Sequence, residues 1–228
     1  MLSHDPFEID PRRAAEHIKK YFSIQSNGRP KYTGSRFETY VDGGDRNEPN
    51  RITSDDLIAV SMLAVHVPAQ AALGIVQNLS DELTDLLRQL PVDIRLEDLS
   101  VRGFDRLLNN ADSPGDKLWQ RIRSRDHVWG VGPTTTSKIL ARKRPHLIPI
   151  FDSVIRDRMG LRDSGGYWRL WHGKFTGDNA AKLIKRWEDI REDSGQHHLS
   201  LLRTVDIALW MDSHGDAKSG GETVDSDG

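Results

Sequence analysis

The chain has 228 residues, of which 32 are Lys or Arg and 34 are Asp or Glu, and its formal net charge is −2. It contains no cysteine, which excludes disulfide bonds, thiolate zinc sites, cysteine-ligated iron–sulfur clusters and cysteine nucleophiles. No apolar run approaches the roughly 20 residues of a membrane span. The first residues also lack the apolar core of a signal peptide. We therefore expect a protein of the reducing cytoplasm with no membrane partner.

The first half of the chain predicts short capped helices around one long loop. Asp10 precedes a proline and is a candidate N-cap. Residues 25–52 contain several turn formers, and a short strand or hairpin is predicted within them over 32–41. Thr53 and Asp56 resemble a capping box. Further helices are predicted over residues 57–67, 68–78 and 81–89.

The second half continues this helical pattern. Asp206 stands in an otherwise apolar helix, where an unpaired buried carboxylate would be costly, so we expect it to pair with Arg203 or with a base of the helix that begins near Thr134. A second active-site acid is the alternative interpretation of Asp206. Residues 213–228 are rich in Gly, Ser and Asp and are predicted to be a disordered acidic tail. Helices are predicted after Ser113, over residues 134–142, after Asp152, after Asp178 and over residues 200–211. The sequence thus predicts an all-α fold with one helical domain over residues 1–212.

A glycine-containing turn before a helix is the first candidate for chemistry. Gly130 and Gly132 flank Val131, and Pro133 then stands at the predicted first position of a helix that begins with three threonines. Free N–H groups and the positive end of a helix favour anions. The sequence therefore predicts phosphate binding at Gly130, Gly132 and the helix start at Thr134.

The charge around this turn indicates the same ligand. Residues 121–144 hold one acid, Asp126, and a concentration of bases that gives a net charge of +6, which is typical of a phosphate-backbone contact. In the front loop, Tyr32, Arg36 and Phe37 form another aromatic and basic group that suggests nucleic-acid contact. The bases of the first segment are Arg121, Arg123, Arg125, Lys138, Arg142, Lys143 and Arg144.

The whole segment resembles the helix-hairpin-helix base-excision DNA glycosylases of the endonuclease III type. Residues 130–132 occupy the hairpin, and Thr135 and Thr136 stand where the family has Thr-Ala. Asp152, 22 positions after Gly130, stands where the family places its catalytic aspartate. The resemblance implies that Asp152 stabilises the oxocarbenium-like cation or orients water for attack at C1′. The other interpretation of Asp152 is a helix N-cap, and the two are compatible.

An upstream segment is similar to the same family. Residues 57–64 match a helix of the family, after which a side chain enters the space left by the flipped base; the matching positions are Val65 and His66. A packing or surface role for His66 is the alternative. The resemblance covers roughly residues 53–160, with the hairpin motif at about 115–160. The predicted DNA-binding residues are Gly130, Val131, Gly132, Thr134, Thr135, Lys138, Arg142, Lys143, Arg144 and His66.

The departures from the family narrow the expected activity. Thr134 occupies the position of the lysine that some members use for strand cleavage, so we expect no lyase activity by that route. The missing cysteine excludes the iron–sulfur cluster of many members, and we predict neither a cofactor nor a metal. The residues from Gly130 to Ser153 also resemble those of an actinobacterial protein group, and membership of that group would mean that the activity of the glycosylases cannot be carried over without a test.

Three hypotheses follow from the sequence. The leading one is a DNA repair protein, associated with the nucleoid, with a two-lobed glycosylase-like fold and a central cleft. It would act as a monofunctional N-glycosylase on duplex DNA, flipping a damaged base into the cleft. The alternatives are a catalytically inactive DNA-binding or adaptor module and a helical protein-interaction domain.

Overall fold

The computed structural model of the chain describes residues 5–123 and 129–214, and helices are the regular secondary structure of these residues, with no strand among them. The only bridge within the described ranges joins Ile24 to Pro30. The α-helices are α1 (Pro11–Tyr21), α2 (Ser54–Ser61), α3 (Ala69–Leu73), α4 (Ser80–Arg88), α5 (Val101–Phe104), α6 (Pro114–Arg123), α7 (Pro133–Lys143), α8 (Ser153–Arg158), α9 (Tyr167–Thr176), α10 (Ala180–Ser194) and α11 (Leu201–His214). The all-α prediction is therefore confirmed.

Side-chain caps begin several helices where the sequence predicted them. The Asp10 carboxylate accepts the Arg13 N–H at 3.0 Å, and Thr53 with Asp56 forms a complete capping box at the start of α2. The Ser113 hydroxyl accepts the Asp116 N–H at 3.2 Å. The cap predicted at Asp178 is wrong, because α10 follows Asn179 and has no side-chain cap bond.

The strand or hairpin predicted over residues 32–41 is also wrong. This segment forms two 3₁₀ turns, Thr33–Arg36 and Tyr40–Asp42. Its carbonyl groups accept hydrogen bonds from buried guanidinium groups: Arg142 donates to the carbonyls of Phe37 and Tyr40. Backbone acceptors that are satisfied in this way need no partner strand.

Two layers of helices position the cavity described below. On one side, α1 packs against both α10 and α11; on the other, α7 packs against α2 and α6. Helix α9, which the sequence analysis did not identify, buries Tyr167, Trp171 and Phe175 at successive turns, and Phe7 packs edge-on against two of these rings. None of the described helices is long and apolar enough to cross a membrane. The predicted tail lies almost wholly outside the described residues, as does Arg125.

Candidate functional site

The glycine turn leads into α7 as the sequence predicted. Gly130 has a φ of +77°, and a Cβ there would lie 3.1 Å from Pro68, so both the backbone conformation and the close packing favour glycine. Gly132 is the N-cap residue of α7 and Pro133 is the first helical residue. Trp129, just before the turn, packs over Gly74 and donates its indole N–H to the Ile122 carbonyl at 3.0 Å. This turn is therefore a packed joint between α6 and α7.

Helix α7 fixes the position of Asp152 through one serine. The Ser137 hydroxyl accepts the Phe151 N–H at 2.9 Å, and it can donate to the carbonyl of Phe151 at 3.0 Å or of Thr134 at 2.9 Å. All of Ser137 is buried. Because the peptide just before Asp152 is bonded to α7, Asp152 has a defined place relative to the helix that follows the glycine turn.

Asp152 is a helix N-cap, and it also lines a cavity. Its Oδ1 accepts the Ile155 N–H at 2.9 Å, so it caps α8. The same residue lines a cavity of about 880 Å³. No other hydrogen bond to the Asp152 carboxylate is formed by the described residues, which leaves its second oxygen available to a ligand.

The cavity has an aromatic wall formed by helices at opposite ends of the chain. Tyr21 of α1 stacks on Tyr32 with a ring-centroid distance of 5.4 Å and an interplanar angle of 9°. Trp210 of α11 packs edge-on to both rings, at 6.2 Å and 5.9 Å. A volume of this size and flat rings on one side suit a ligand that is itself flat.

Charged side chains form the buried floor of the same cavity. Arg203 donates to Asp206, as predicted, and also to Glu38 at 2.5 Å and to the Tyr21 hydroxyl at 3.1 Å. Burial raises the pKa of Asp206 to about 6, and the nearby Asp152 adds to this while Arg203 opposes it. The other oxygen of Asp206, Oδ1, has no hydrogen-bond partner among the described residues.

Lys138 lies on the cavity wall, between the glycine turn and Asp206. Only 6% of it is exposed, and its ammonium donates to the Leu63 carbonyl at 2.8 Å. Desolvation lowers the pKa of Lys138, and the carboxylates of Asp152 and Asp206 oppose that shift. Lys138 therefore faces the cavity, not the outer surface where phosphate contact was predicted.

The other predicted phosphate-binding bases lie in the interior. Arg142, Lys143 and Arg144 are 3%, 0% and 0% exposed. Asp56 pairs with Arg142 at 3.2 Å and with Lys143 at 2.9 Å. Arg144 donates to the carbonyls of α4 and the residues after it, at Leu87 (2.6 Å) and Leu90 (2.5 Å). The predicted basic face is therefore wrong for these three bases. They are buried and already bonded to groups of the protein itself.

The remaining predicted DNA contacts differ in exposure, and none of them lines the cavity. His66 is exposed in the loop after α2, while Val65 packs against the core. Met62, Leu63 and Ala64 of the same loop line the cavity. Of the turn residues, Thr134 is partly exposed, whereas Val131 and Thr135 are buried.

Sequence reasoning missed Tyr21, Trp210 and Arg203 as cavity residues. No spacing in the sequence relates α1 to α11, so only the packing of the two helices brings these side chains together. Of the front-loop group, Tyr32 lies on the aromatic wall, Arg36 is exposed and Phe37 is buried in the core. No group of three or more His, Asp or Glu residues in the described ranges could hold a metal ion.

Residues 14–213 match the model of a protein family described as a family of unknown function (DUF6308). No curated protein and no solved structure matches the chain. The family match covers most of the chain, and the function has to be argued from the cavity.

Proposed function

We propose that this chain, which belongs to the family of unknown function DUF6308, is a DNA-binding helix-hairpin-helix protein that acts as a monofunctional DNA N-glycosylase. The observation that carries the proposal is the place of Asp152 on the wall of the 880 Å³ cavity, where no donor among the described residues forms a hydrogen bond to its second oxygen. In this proposal the cavity is the central cleft of a two-lobed fold, and a base flipped out of the duplex enters it.

The aromatic wall supplies the recognition of the base. Tyr32 and Trp210 are the partly exposed rings of this wall on which a nucleobase can stack, and the buried Tyr21 supports Tyr32 from behind. Base–aromatic stacking is worth about 1–3 kcal/mol per base and tolerates any base with a flat face. Arg203 fixes Tyr21 from below through the phenol oxygen, so the wall is built before a ligand arrives.

The carboxylate of Asp152 supplies the charge for the reaction. As the bond between C1′ and the base nitrogen breaks, the bonding electron pair leaves with the base and positive charge develops on the sugar. The carboxylate stabilises that charge and orients a water whose oxygen bonds to C1′. The water loses a proton, and the departing base gains one. Some of the helix-hairpin-helix glycosylases have a nucleophilic lysine at the position of Thr134. Because threonine stands there in this chain, water is the nucleophile and the strand is not cut.

The test is base release from defined lesions. Purified protein is incubated with duplexes that carry one alkylated, oxidised or deaminated base, and free base is measured by chromatography. Asp152→Asn is the matched variant, because asparagine still caps a helix but carries no charge. We expect release by the wild type and a loss of roughly 10²-fold or more in the variant. No release from any lesion, with DNA binding retained, would overturn the enzymatic part.

A second measurement is needed to exclude Lys138 as the nucleophile. Its amine faces the cavity, and an amine can attack C1′ and form a Schiff base that borohydride reduces to a stable protein–DNA bond. Water as the nucleophile predicts no trapped complex. A complex that disappears in Lys138→Met would replace the water mechanism by one with a lysine nucleophile.

One observation favours a catalytically inactive DNA-binding module. The bond from the Ile155 N–H to Asp152 is a complete reason for an aspartate at this position. This alternative predicts DNA binding equal in the wild type and Asp152→Asn, with no base release by either. Absence of binding to duplex and single-stranded DNA at low salt would instead favour a protein-interaction domain.

A further inference from the structure

A second basic segment, near the N-terminus, has the same net charge as the hairpin segment. Residues 11–37 hold one acid, Glu16, and a set of bases that brings the segment to +6. Unlike the bases of α7, all of these bases are exposed. They are Arg12, Arg13, Lys19, Lys20, Arg29, Lys31 and Arg36.

Part of this segment forms the edge of the cavity, and we name residues 23–34 the rim loop. Arg29 and Lys31 line the cavity together with Gln25 and Asn27. Within the described ranges, no carboxylate oxygen lies within 4.0 Å of the charged nitrogens of Arg29 or Lys31, whereas Arg13 of α1 is paired with Asp212 at 2.8 Å. The two bases at the cavity edge therefore carry charge that the protein itself does not neutralise.

The rim loop has a defined backbone. The Gln25 N–H donates to the Arg29 carbonyl at 2.8 Å, and the Lys31 N–H donates to the Ser23 carbonyl at 2.9 Å. At the tip, Gly28 has a φ of +79°, and the Asn27 side chain accepts the Arg29 N–H at 2.9 Å. These bonds hold the loop in one hairpin-like shape, so binding does not have to order the backbone that carries the two bases.

The loop is also tied to the opposite side of the mouth. The Thr33 hydroxyl donates to the Met62 carbonyl at 2.8 Å, and Met62 belongs to the loop after α2 that borders the cavity. Exposed cations thus stand at the entrance, while the aromatic and carboxylate groups lie below them. A nucleotide that puts its base into such a cavity must leave its phosphates at the entrance.

We infer that Arg29 and Lys31 bind the backbone phosphates that flank the nucleotide whose base occupies the cavity, so that the DNA contact surface is the rim loop and not the face of α7. This inference rests on the proposed function. A DNA strand fits better than a free nucleotide, because the basic segment continues beyond the mouth through Lys19, Lys20 and Arg36 and offers more charge than one phosphate group requires.

The experiment measures how salt weakens binding to a duplex that cannot be hydrolysed. The probe is a fluorescent 25-base-pair duplex with a single tetrahydrofuran abasic analogue, and the full chain is titrated at a series of KCl concentrations. The rim variant is Arg29→Ala/Lys31→Ala. The matched control is Arg102→Ala/Lys182→Ala, which removes two exposed bases that do not line the cavity.

If both rim bases contact phosphates, the slope of log K against log salt falls by about 1.8, from about 0.9 for each contact. The difference in affinity between the wild type and the rim variant then shrinks about twelvefold between 50 and 200 mM salt. The control should keep the wild-type slope. Competition by a nucleoside monophosphate as strong as that of the duplex would overturn the assignment to a DNA strand.

Failure of this inference can be told apart from failure of the proposed function. Equal slopes for the rim variant and the control overturn the inference, whether or not the wild type releases a base. A wild type that binds no duplex at low salt also overturns it. Loss of the salt slope in the rim variant supports it even when no lesion is processed, since the probe tests binding alone.

Discussion

Residues 121–144 and residues 11–37 carry the same net charge, +6, and the structure places the last four bases of the first segment and all the bases of the second in opposite environments. In the first segment, Lys138, Arg142, Lys143 and Arg144 are at most 6% exposed. In the second, every base is exposed. A concentration of charge along a sequence is therefore not by itself a binding surface; what counts is how much of that charge the fold has already neutralised.

The buried bases of the first segment donate to carbonyls at irregular parts of the backbone, two of which, those of Phe37 and Leu90, accept no backbone N–H among the described residues. Arg144 donates to the carbonyl of Leu87 in the last turn of α4 and to that of Leu90 just after it. Arg142 serves the irregular segment after α1 in the same way. The rim loop of the second segment, by contrast, forms its turns with backbone bonds and leaves Arg29 and Lys31 to solvent or to a ligand.

Charge reversal should give the largest difference in stability between variants of the two segments. Arg142→Glu/Lys143→Glu places two carboxylates beside the buried Asp56, and we expect a loss of unfolding free energy of at least about 3–5 kcal/mol. Arg29→Glu/Lys31→Glu should stay within about 0.5 kcal/mol of the wild type. Urea denaturation followed by circular dichroism measures both. Similar stability of the two variants would remove the distinction between the segments.

The pH dependence of stability should reveal the raised pKa of Asp206, which lines the same cavity as Lys138 of the first segment and Arg29 of the second. Its pKa of about 6 in the folded protein exceeds the value of about 3.9 in an unfolded chain. The folded state therefore binds more protons between these values, and the contribution of Asp206 falls by about 3 kcal/mol as the pH rises from about 4 to 6. Asp206→Asn should lose that downward trend, which unfolding titrations at several pH values would detect. An unchanged trend would contradict the raised pKa.

Replacing one serine in each segment by alanine compares the stability of the two segments without any change of charge. Ser137→Ala leaves the buried N–H and carbonyl of Phe151 without their partner, and we expect a cost of about 1–3 kcal/mol. Ser23→Ala removes a 2.7 Å bond to the Lys20 carbonyl on the exposed segment and should cost less than about 0.5 kcal/mol. Thermal melts of both proteins check the difference. A larger shift for Ser23→Ala would reverse the comparison.

The smallest expected effect on stability comes from Asp152, the N-cap of α8 that also lines the cavity. Asp152→Ala should destabilise the protein by about 1 kcal/mol, because α8 loses its N-cap. Asp152→Asn should be close to neutral in the same denaturation experiment. Equal losses for the two variants would mean that the charge of Asp152, rather than its cap bond, stabilises the fold.

The local features of the fold could be predicted because they depend on neighbours in sequence. The capping box of Thr53 and Asp56, the cap at Asp10 and the pairing of Arg203 with Asp206 each need residues only three positions apart. The glycine turn before α7 was predictable for the same reason. Helix α9 was missed although Tyr167, Trp171 and Phe175 recur every four residues, which is the signal that identifies it.

The sequence by itself determined the helical class, most helix starts, the glycine turn and the candidate aspartate, since each follows from the properties of a few adjacent residues. Only the tertiary structure decided which bases are accessible and which side chains share a cavity with Asp152. The physical reason is that burial and neutralisation depend on residues far apart in the chain: Arg142 meets Asp56 across 86 positions, and Tyr21 meets Arg203 across 182. The sequence therefore gives the charge of a segment, but the tertiary structure decides whether that charge is available for binding.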